Sequence, residues 1–217
     1  MLDVVILEIM PELPYEKFAE LLSLVAKEKQ VRIKKFHFFQ DARNCLLGDV
    51  LSRLEISRAF GLYHHQLEFS TNQFGKPHLT SFPKCFYNIS HTGNYIACAL
   101  SNAPVGIDIE VMQPVDLKIA ERFFSPDEIS YIVAGNKLTR FYEIWTKKES
   151  RIKLEGKGLH IPLASFSVFD ANEQGRVYYH KVFENTEVVC HTCSLNSTVP
   201  TIRMIDSVEL MQNIGKL

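Results

Sequence analysis

Hydrophobic and polar positions follow two periods along this chain, and the changes of period predict where helices and strands lie. Residues 4–9 form an apolar run that predicts a first strand. Apolar residues recur at helical spacing in residues 15–35 and 40–60, which predicts two helices. Residues 67–111 combine Gly and Pro punctuation with short β-rich runs, and residues 117–154 return to the helical period. The C-terminal third has further β-rich runs at residues 166–169, 177–183, 188–193 and 202–205.

The order strand, helix, strand, helix, strand predicts an α+β protein with two α/β halves in one chain. We place the N-terminal half at residues 1–103 and the C-terminal half at residues 104–217. The two are expected to meet near residues 101–105, and no low-complexity linker separates them in the sequence.

Composition and charge exclude several classes of protein. The 217 residues are 46% hydrophobic and 23% charged, with a formal net charge of -1, which is ordinary for a globular protein. Because no global excess of positive charge exists, we expect neither nucleic-acid nor membrane binding. The first ten residues lack a basic region of the signal-peptide kind, and no apolar run is as long as a membrane span. We therefore expect a cytoplasmic protein.

Five scattered cysteines fit that compartment. Cys190 and Cys193, with His191 between them, resemble half of a zinc site. No second pair stands at a suitable spacing, so two thiols in or beside a strand is the better interpretation.

A short acidic motif lies in the middle of the chain. The sequence Gly-Ile-Asp-Ile-Glu at residues 106–110 alternates apolar and other residues, which predicts a strand. Residues two apart on a strand point the same way, so Asp108 and Glu110 would project from one face. In isolation such a pair is often only the polar face of an edge strand.

A second motif lies about forty residues later and reads as a helix. Glu149 and Lys153 are one turn apart, and Trp145 is one turn before Glu149. A Glu–Lys pair at this spacing also stabilises many exposed helices, and Trp145 fits core packing. If the helix face meets the strand, however, Asp108, Glu110 and Glu149 form an oxygen-rich site of the kind that Mg²⁺ prefers.

Together these motifs resemble the 4′-phosphopantetheinyl transferases, in particular the surfactin-synthetase type. Further matches stand in the family's order and spacing, and the resemblance covers roughly residues 1–170. They are Asp41-Ala42, Leu46-Leu47-Gly48-Asp49, Gly75-Lys76-Pro77, Asn88-Ile89-Ser90-His91-Thr92-Gly93, Arg122-Phe123-Phe124-Ser125 and Glu155-Gly156-Lys157-Gly158-Leu159.

The resemblance implies a pseudo-dimeric fold of two similar halves and a magnesium-dependent reaction. The phosphopantetheine arm of coenzyme A would move to a serine of an apo acyl or peptidyl carrier protein, with release of adenosine 3′,5′-bisphosphate. Asp108, Glu110 and Glu149 are the implied magnesium ligands. Glu149 is also the candidate base, directly or through a metal-bound water. A site within one chain needs no second subunit, so we expect a monomer.

The same resemblance implies a set of cofactor-binding cations and polar groups. Lys148 and Lys153 would face the phosphates and the pantetheine, and Lys153 is the second candidate catalytic residue. Lys29 and Arg32 fall where the family has further phosphate-binding cations. Lys76, Ser90 and His91 are expected to contact the nucleotide end, including its 3′-phosphate, and Pro77 is a further predicted coenzyme contact.

Three positions leave alternatives open. The family commonly has an arginine three residues after the Asp of its Asp-Ala pair, whereas here Asn44 is at that position and the arginine is Arg43. One residue rotates a helix by about 100°, so Arg43 would point elsewhere. Glu128 fits a helix capping box, yet the family places an acidic residue there near the metal. Phe123 and Phe124 are either core residues or a carrier docking point.

Two other functions remain open from the sequence. One is a different magnesium-dependent phosphodiesterase or nucleotidyl transferase that uses the same carboxylates on another pyrophosphate. The other is a catalytically silent module that binds a carrier protein or the coenzyme.

Overall fold

A computed structural model describes residues 1–10, 13–170, 177–185, 187–195 and 197–214. The strands are β1 (Leu2–Glu8), β2 (Phe69–Thr71), β3 (Pro77–Leu79), β4 (Phe86–Thr92), β5 (Tyr95–Ser101), β6 (Val105–Val111), β7 (Tyr178–Glu184), β8 (Val188–Ser194) and β9 (Thr201–Asp206). The helices are α1 (Tyr15–Leu22), α2 (Lys27–Ile33), α3 (Phe39–Phe60), α4 (Lys118–Phe123), α5 (Pro126–Val133), α6 (Lys137–Glu155) and α7 (Ser207–Ile214). This mixture confirms the predicted α+β class.

The first sheet has the strand order β4-β5-β1-β9. β1 and β4 pair antiparallel with β5, whereas β9 lies parallel to β1. One face of this sheet packs against α3 and α1, and Leu46, Leu47 and Leu51 of α3 are fully buried there. The long helix and the sheet thus build one hydrophobic core on the N-terminal side.

The second sheet has the order β6-β8-β7 and is antiparallel throughout. Its outer face carries α6, which lies unusually close to β6. A Cβ atom at Gly106 would stand 1.8 Å from the Ser150 carbonyl oxygen and 2.4 Å from the Leu154 backbone nitrogen. Only a residue without a side chain permits this approach, so Gly106 sets the distance between the helix and the strand.

The inner faces of the two sheets share a second hydrophobic core. Alternate residues of β1 (Leu2, Val4 and Ile6) pack with alternate residues of β6 (Val105, Ile107 and Ile109). At the edges, β4 and β6 meet through side chains: Asn88 Oδ1 accepts a hydrogen bond of 2.8 Å from the Ile107 amide. The two halves are therefore held edge to edge as well as face to face.

The C-terminal segment crosses back to the first half. β9 pairs with β1, and Ile205 and Leu210 join the core that α3 builds. The predicted division placed residues 201–214 in the C-terminal half, and the structure differs there. The reason is that β1 would otherwise expose an unpaired edge, which β9 covers.

Most predicted elements agree with the structure, with two corrections. The helix predicted at residues 15–35 is broken into α1 and α2, because the backbone leaves the helical conformation at Ala26, which has a φ of -56° and a ψ of 146°. Residues 166–169 are not a strand but a loop held by side chains of other elements. Among the described residues, no helix is both long and apolar enough to cross a membrane.

The cysteine pair of the C-terminal third lies in β8, as the preferred interpretation states. Cys190 faces the inter-sheet core, while Cys193, an odd number of residues away, projects from the opposite face. His191 is buried beneath α6, where its Nδ1 atom is 2.8 Å from Thr146 Oγ1. The two thiols therefore do not point at a common metal position.

Candidate active site

The acidic strand β6 lies beside a row of hydroxyl groups on β4. Ser90 Oγ donates to Asp108 Oδ1 at 2.9 Å, and Thr92 Oγ1 donates to Glu110 Oε2 at 3.3 Å. Both strands alternate with period two, so polar residues at every second position of β4 meet polar residues at every second position of β6. The predicted shared face of Asp108 and Glu110 is confirmed.

Helix α6 brings Lys153 to the same point. Its Nζ atom is 2.6 Å from Asp108 Oδ1 and 2.7 Å from Ser90 Oγ. Glu149 stands one helical turn earlier and lines the same cleft as Lys153. The expectation that the α6 face meets the acidic strand is therefore confirmed in the structure.

Burial raises the pKa of all three carboxylic acids. Burial raises the pKa of Asp108, although the Lys153 ammonium opposes the shift. Burial, and then the neighbouring Asp108 charge, raises the pKa of Glu110 to about 7. The same two causes raise the pKa of Glu149, with Lys153 acting against them. Each acid thus carries a cost for its negative charge that a nearby cation would relieve.

The donor set fits a hard divalent cation. Asp108 Oδ2 is buried and has no hydrogen-bond partner, so one oxygen of the central carboxylate is available. Carboxylate oxygens are the ligands that Mg²⁺ prefers. Within the described ranges, however, no three acidic, His or Cys side chains already converge as a metal cage. In this arrangement the Lys153 ammonium is the cation against Asp108.

Lys148 requires a correction, because it does not face the cleft. Its side chain is 0% exposed and its Nζ atom is 2.9 Å from Glu128 Oε2. The ammonium also donates to the carbonyl oxygens of Leu163 and Phe166. Helical geometry explains the difference: residues 144, 148 and 152 form one buried stripe, whereas Glu149 lies about 100° away. The helical spacing of Lys148 with Ile144 and Ile152 could have predicted from the sequence that Lys148 is buried.

Glu128 is a structural acid in this structure. Its Oε2 accepts from the Ser125 amide at 2.8 Å, which confirms the capping interpretation. Its Oε1 accepts from the Val168 amide at 2.7 Å, and Lys148 neutralises its charge. Three donors thus contact the two oxygens of this fully buried carboxylate, and they account for its place in the structure.

The Lys76–Pro77 segment lies on the other wall of the cleft. Pro77, Phe74 and Gly75 line this cleft of about 300 Å³ together with Glu149 and Lys153. The Lys76 ammonium does not join the carboxylate cluster. Its Nζ atom donates to backbone carbonyl oxygens of the C-terminal half instead.

The remaining predicted cations lie on the N-terminal side. His91 lies near the end of β4, where burial and then the charge of Lys153 lower its pKa, while the charge of Asp41 opposes the shift. Lys29 Nζ is 3.7 Å from Asp49 Oδ1, and Arg32 is exposed on α2. These three side chains remain predicted coenzyme contacts.

Arg43 points away from the predicted phosphate, and Phe123 and Phe124 pack in the core. Arg43 is buried, and its guanidinium donates to Asn94 Oδ1 at 2.9 Å, so it is directed at the turn after β4. Phe124 is buried and packs at a tilt against Phe141 and Trp145 in the core of the C-terminal half. Phe123 is half-buried against the same cluster. Trp145 is half-buried and packs against this core, as the core-packing interpretation predicts.

Sequence reasoning missed the polar residues that hold the acids in place. Asn88 binds the Ile107 amide and Thr92 binds both Glu110 and the Val111 amide. Asn88, Ser90 and Thr92 alternate in a β-rich run, and this pattern could have predicted that they share one face of a strand. Asn72, which contacts the end of α6, had no signal because its partner is 84 residues away.

Comparison with protein families divides the chain in two. A model described as 4′-phosphopantetheinyl transferase, N-terminal, matches residues 13–103. A second, described as the 4′-phosphopantetheinyl transferase superfamily, matches residues 104–200. Two such models in tandem fit the predicted pseudo-dimeric arrangement.

Curated relatives carry the same name. The chain is 44% identical over 159 residues to 4′-phosphopantetheinyl transferase Sfp of Bacillus subtilis (strain 168), which covers 72% of this chain and 71% of that protein. It is 34% identical over 217 residues to 4′-phosphopantetheinyl transferase gsp of Aneurinibacillus migulanus, covering 93% and 90%. The chain therefore belongs to the 4′-phosphopantetheinyl transferase family and is an enzyme of the Sfp type.

Proposed function

We propose that this enzyme transfers the 4′-phosphopantetheine group of coenzyme A to a serine hydroxyl of an apo acyl or peptidyl carrier protein. The observation that carries the proposal is the cluster of Asp108, Ser90 and Lys153 at the junction of the two halves. It joins a buried carboxylate, a hydroxyl and an ammonium within 3 Å of one another. Such a cluster suits a pyrophosphate, which needs both cations and hydrogen-bond donors.

Magnesium is the proposed metal, held by Asp108, Glu110 and Glu149. The unpartnered Asp108 Oδ2 and the raised pKa values of all three acids support this assignment. When bound, the ion supplies charge neutralisation on the pyrophosphate. Lys153 would then be free to turn part of its donor capacity from Asp108 to a phosphate oxygen.

The bond changes follow from substitution at phosphorus. The serine oxygen of the carrier forms a bond to the phosphorus that bears pantetheine. The bond from that phosphorus to the bridging oxygen breaks, and adenosine 3′,5′-bisphosphate leaves. Glu149 is the proposed acceptor of the hydroxyl proton, because its side chain lines the cleft together with Lys153.

The coenzyme is proposed to lie along the wall between the two halves. Lys153 and Ser90 face its phosphates, while Pro77 lines the cleft. Lys29, Arg32 and His91 lie on the N-terminal side of the cluster and are the proposed contacts of the 3′-phosphate. Lys148 has no part in this scheme, since it is fully buried in its ion pair.

The direct test incubates the purified protein with coenzyme A, Mg²⁺ and a panel of apo carrier proteins. Intact mass spectrometry should show one phosphopantetheine added per carrier serine. Carriers of the fatty-acid, polyketide and nonribosomal-peptide types are assayed in parallel. An unmodified panel would exclude the proposed transfer. Consumption of coenzyme A without any carrier would favour a phosphodiesterase instead.

Variants of the acids test their roles. Asp108→Ala and Glu149→Ala should each lower the transfer rate by about a hundredfold or more, because the charge they supply is lost. Glu155→Gln is the matched control, since Glu155 is an exposed acid on the same helix. A fully active Glu149→Ala variant would remove Glu149 from both proposed roles.

Metal removal is a separate test. Treatment with EDTA should abolish transfer, and added Mg²⁺ should restore it. Transfer that continues unchanged in EDTA would contradict the metal assignment and leave the carboxylates with another role.

A further inference from the structure

A turn of the N-terminal half is bound to the C-terminal end of α6. The turn connects β2 to β3, and Lys76 at its end reaches across to the other half. The Lys76 Nζ atom donates to three carbonyl oxygens: Lys153 at 2.6 Å, Val105 at 3.1 Å and Leu154 at 3.2 Å. Two of these belong to the last turn of α6, and the third to the first residue of β6.

The Lys76 ammonium has no donor left for a phosphate. An ammonium has three N–H donors, and three carbonyl oxygens accept from it here. The last carbonyls of a helix lack partners within the helix and carry its negative dipole end, so a cation satisfies them well. Lys76 is half-buried, and this burial lowers its pKa to about 8.

Asn72 makes a second contact from the same turn. Its Nδ2 atom donates to the Gly156 carbonyl at 2.8 Å. Its Oδ1 atom accepts from the amides of Phe74 and Lys76, each at 2.9 Å, so the turn itself is ordered by this side chain. Gly156 has a φ of +68°, and a Cβ there would stand 2.7 Å from Lys76 Cδ. The helix end and the turn are therefore closely fitted.

This contact lies next to the reacting groups. Lys153, whose carbonyl Lys76 binds, carries the ammonium that contacts Asp108 and Ser90. Glu149 is one turn earlier on the same helix. The other side of the turn forms part of the cleft wall through Phe74 and Pro77. One segment thus touches both the cleft and the helix that supplies the candidate base.

We propose that Lys76 and Asn72 form a clamp that positions the end of α6, and that Lys76 is a positioning residue and not a ligand of the coenzyme phosphates. The clamp fixes the position of Lys153 and Glu149 relative to Asp108, across the junction of the two halves. This inference rests on the proposed transfer reaction only for its effect on the rate. The contact itself is independent of that reaction.

The first test is the Lys76→Met variant, which keeps the length of the side chain but removes its charge and donors. The transfer kcat should fall about tenfold or more, since small displacements of reacting groups are costly. The KM for coenzyme A should stay within about twofold, because the clamp makes no phosphate contact. A raised KM with an unchanged kcat would overturn the proposal.

The second test measures binding without transfer. Calorimetry gives the affinities for adenosine 3′,5′-bisphosphate and adenosine 5′-monophosphate, and their ratio reports the 3′-phosphate contact. Lys76→Met should leave this ratio unchanged within about twofold if the ammonium contacts only carbonyls. A ratio that drops toward one would show that Lys76 binds the 3′-phosphate, and would overturn the proposal.

Hydrogen exchange tests the clamp directly. Backbone amides of residues 152–157 should exchange about tenfold faster in Lys76→Met, since the helix end loses its external partners. Asn72→Ala should also speed exchange and lower kcat, although it removes no positive charge. Lys76→Arg should keep more protection than Lys76→Met, because a guanidinium also donates to carbonyls. Lys84→Met, which changes an exposed lysine of the same half, is the control.

These measurements distinguish a failure of the proposed transfer reaction from a failure of the proposed clamp. If the wild-type protein modifies no carrier, the proposed function fails, while exchange and binding still decide the clamp. Unchanged exchange at residues 152–157 in both Lys76→Met and Asn72→Ala would overturn the clamp whatever the activity.

Discussion

Asp108 binds partners from two distant segments of the chain. Its Oδ1 atom accepts from Ser90 on β4 and from Lys153 on α6, while its Oδ2 atom has no partner. Two donors on one oxygen and none on the other is an uneven arrangement for a buried carboxylate. The charge of Asp108 also acts on Glu110 and Glu149. The chemistry of the site therefore depends on which cation faces this carboxylate.

Glu110 should make the stability of the protein depend on pH when no divalent cation is present. Its folded pKa of about 7 lies above its ordinary value of 4.5. Between these values the folded state binds more protons than the unfolded state, so the free energy of unfolding falls as pH rises from 4.5 through 7. Urea unfolding in EDTA from pH 5 to 8 should show this decrease.

Glu110→Gln should reduce the decrease, because an amide does not titrate in this range. Glu155→Gln, at an exposed position, should keep the wild-type dependence on pH. Identical pH profiles for the wild type and Glu110→Gln would show that Glu110 titrates in its ordinary range.

At the scale of elements, the site depends on two close approaches. β4 and β6 are joined by side chains at alternate positions, with Asn88, Ser90 and Thr92 on the β4 side. On its outer face β6 touches α6 where Gly106 has no side chain. The strand is thus held from its edge and from its face. Periodicity predicted which residues share a face, whereas the distances between elements depend on such contacts.

Gly106→Ala should destabilise the protein strongly. The added Cβ would overlap the Ser150 carbonyl and the Leu154 amide, which are backbone atoms and move only if α6 shifts. We expect a loss of about 3 kcal/mol in the free energy of unfolding, at the upper end for overpacking. Chemical denaturation measures it.

Gly48→Ala is the matched control for that prediction. Gly48 is also buried, but its added Cβ would stand 3.2 Å from the Cγ2 methyl group of Ile89, a side-chain atom that needs to move by only a few tenths of an ångström. Gly48 lies inside α3, where alanine is favoured over glycine by about 1 kcal/mol, so the two effects should nearly cancel. Equal losses for the two variants would contradict the role assigned to Gly106.

At the scale of the whole molecule, the C-terminal segment closes the first half. β9 completes the first sheet beside β1, and Arg203 on β9 binds the buried Glu55 of α3 at 2.6 Å. The side chain of Glu55 is 4% exposed, so its charge depends on partners from other positions. Residues almost 150 positions apart thus stabilise one another.

Arg203→Met should lower the free energy of unfolding by about 2 kcal/mol, because it removes a hydrogen bond to a buried charge. Arg58→Met is the control: Arg58 contacts the same carboxylate at 3.1 Å, but its side chain is 56% exposed. For that exposed partner we expect a loss of about 0.5 kcal/mol. A loss for Arg203→Met no larger than for Arg58→Met would show that the crossover contact contributes little.

Local sequence patterns predicted the α+β class, the shared face of Asp108 and Glu110, and the helical register of Glu149 and Lys153. Each of these follows from periods of 2.0 or 3.6 residues, which are local properties of the backbone. The family was also evident from the order of its motifs. These features need no knowledge of what packs against each element.

The positions of the cations, in contrast, depend on how the elements pack in three dimensions. Lys148 enters a buried ion pair with Glu128, and Lys76 binds carbonyls of the opposite half, although both read as phosphate ligands in the sequence. The path of β9 back to β1 was equally hidden. The physical reason is that a charge is stabilised by whichever partner is near in space, and such partners are 20 to 148 residues away in the chain.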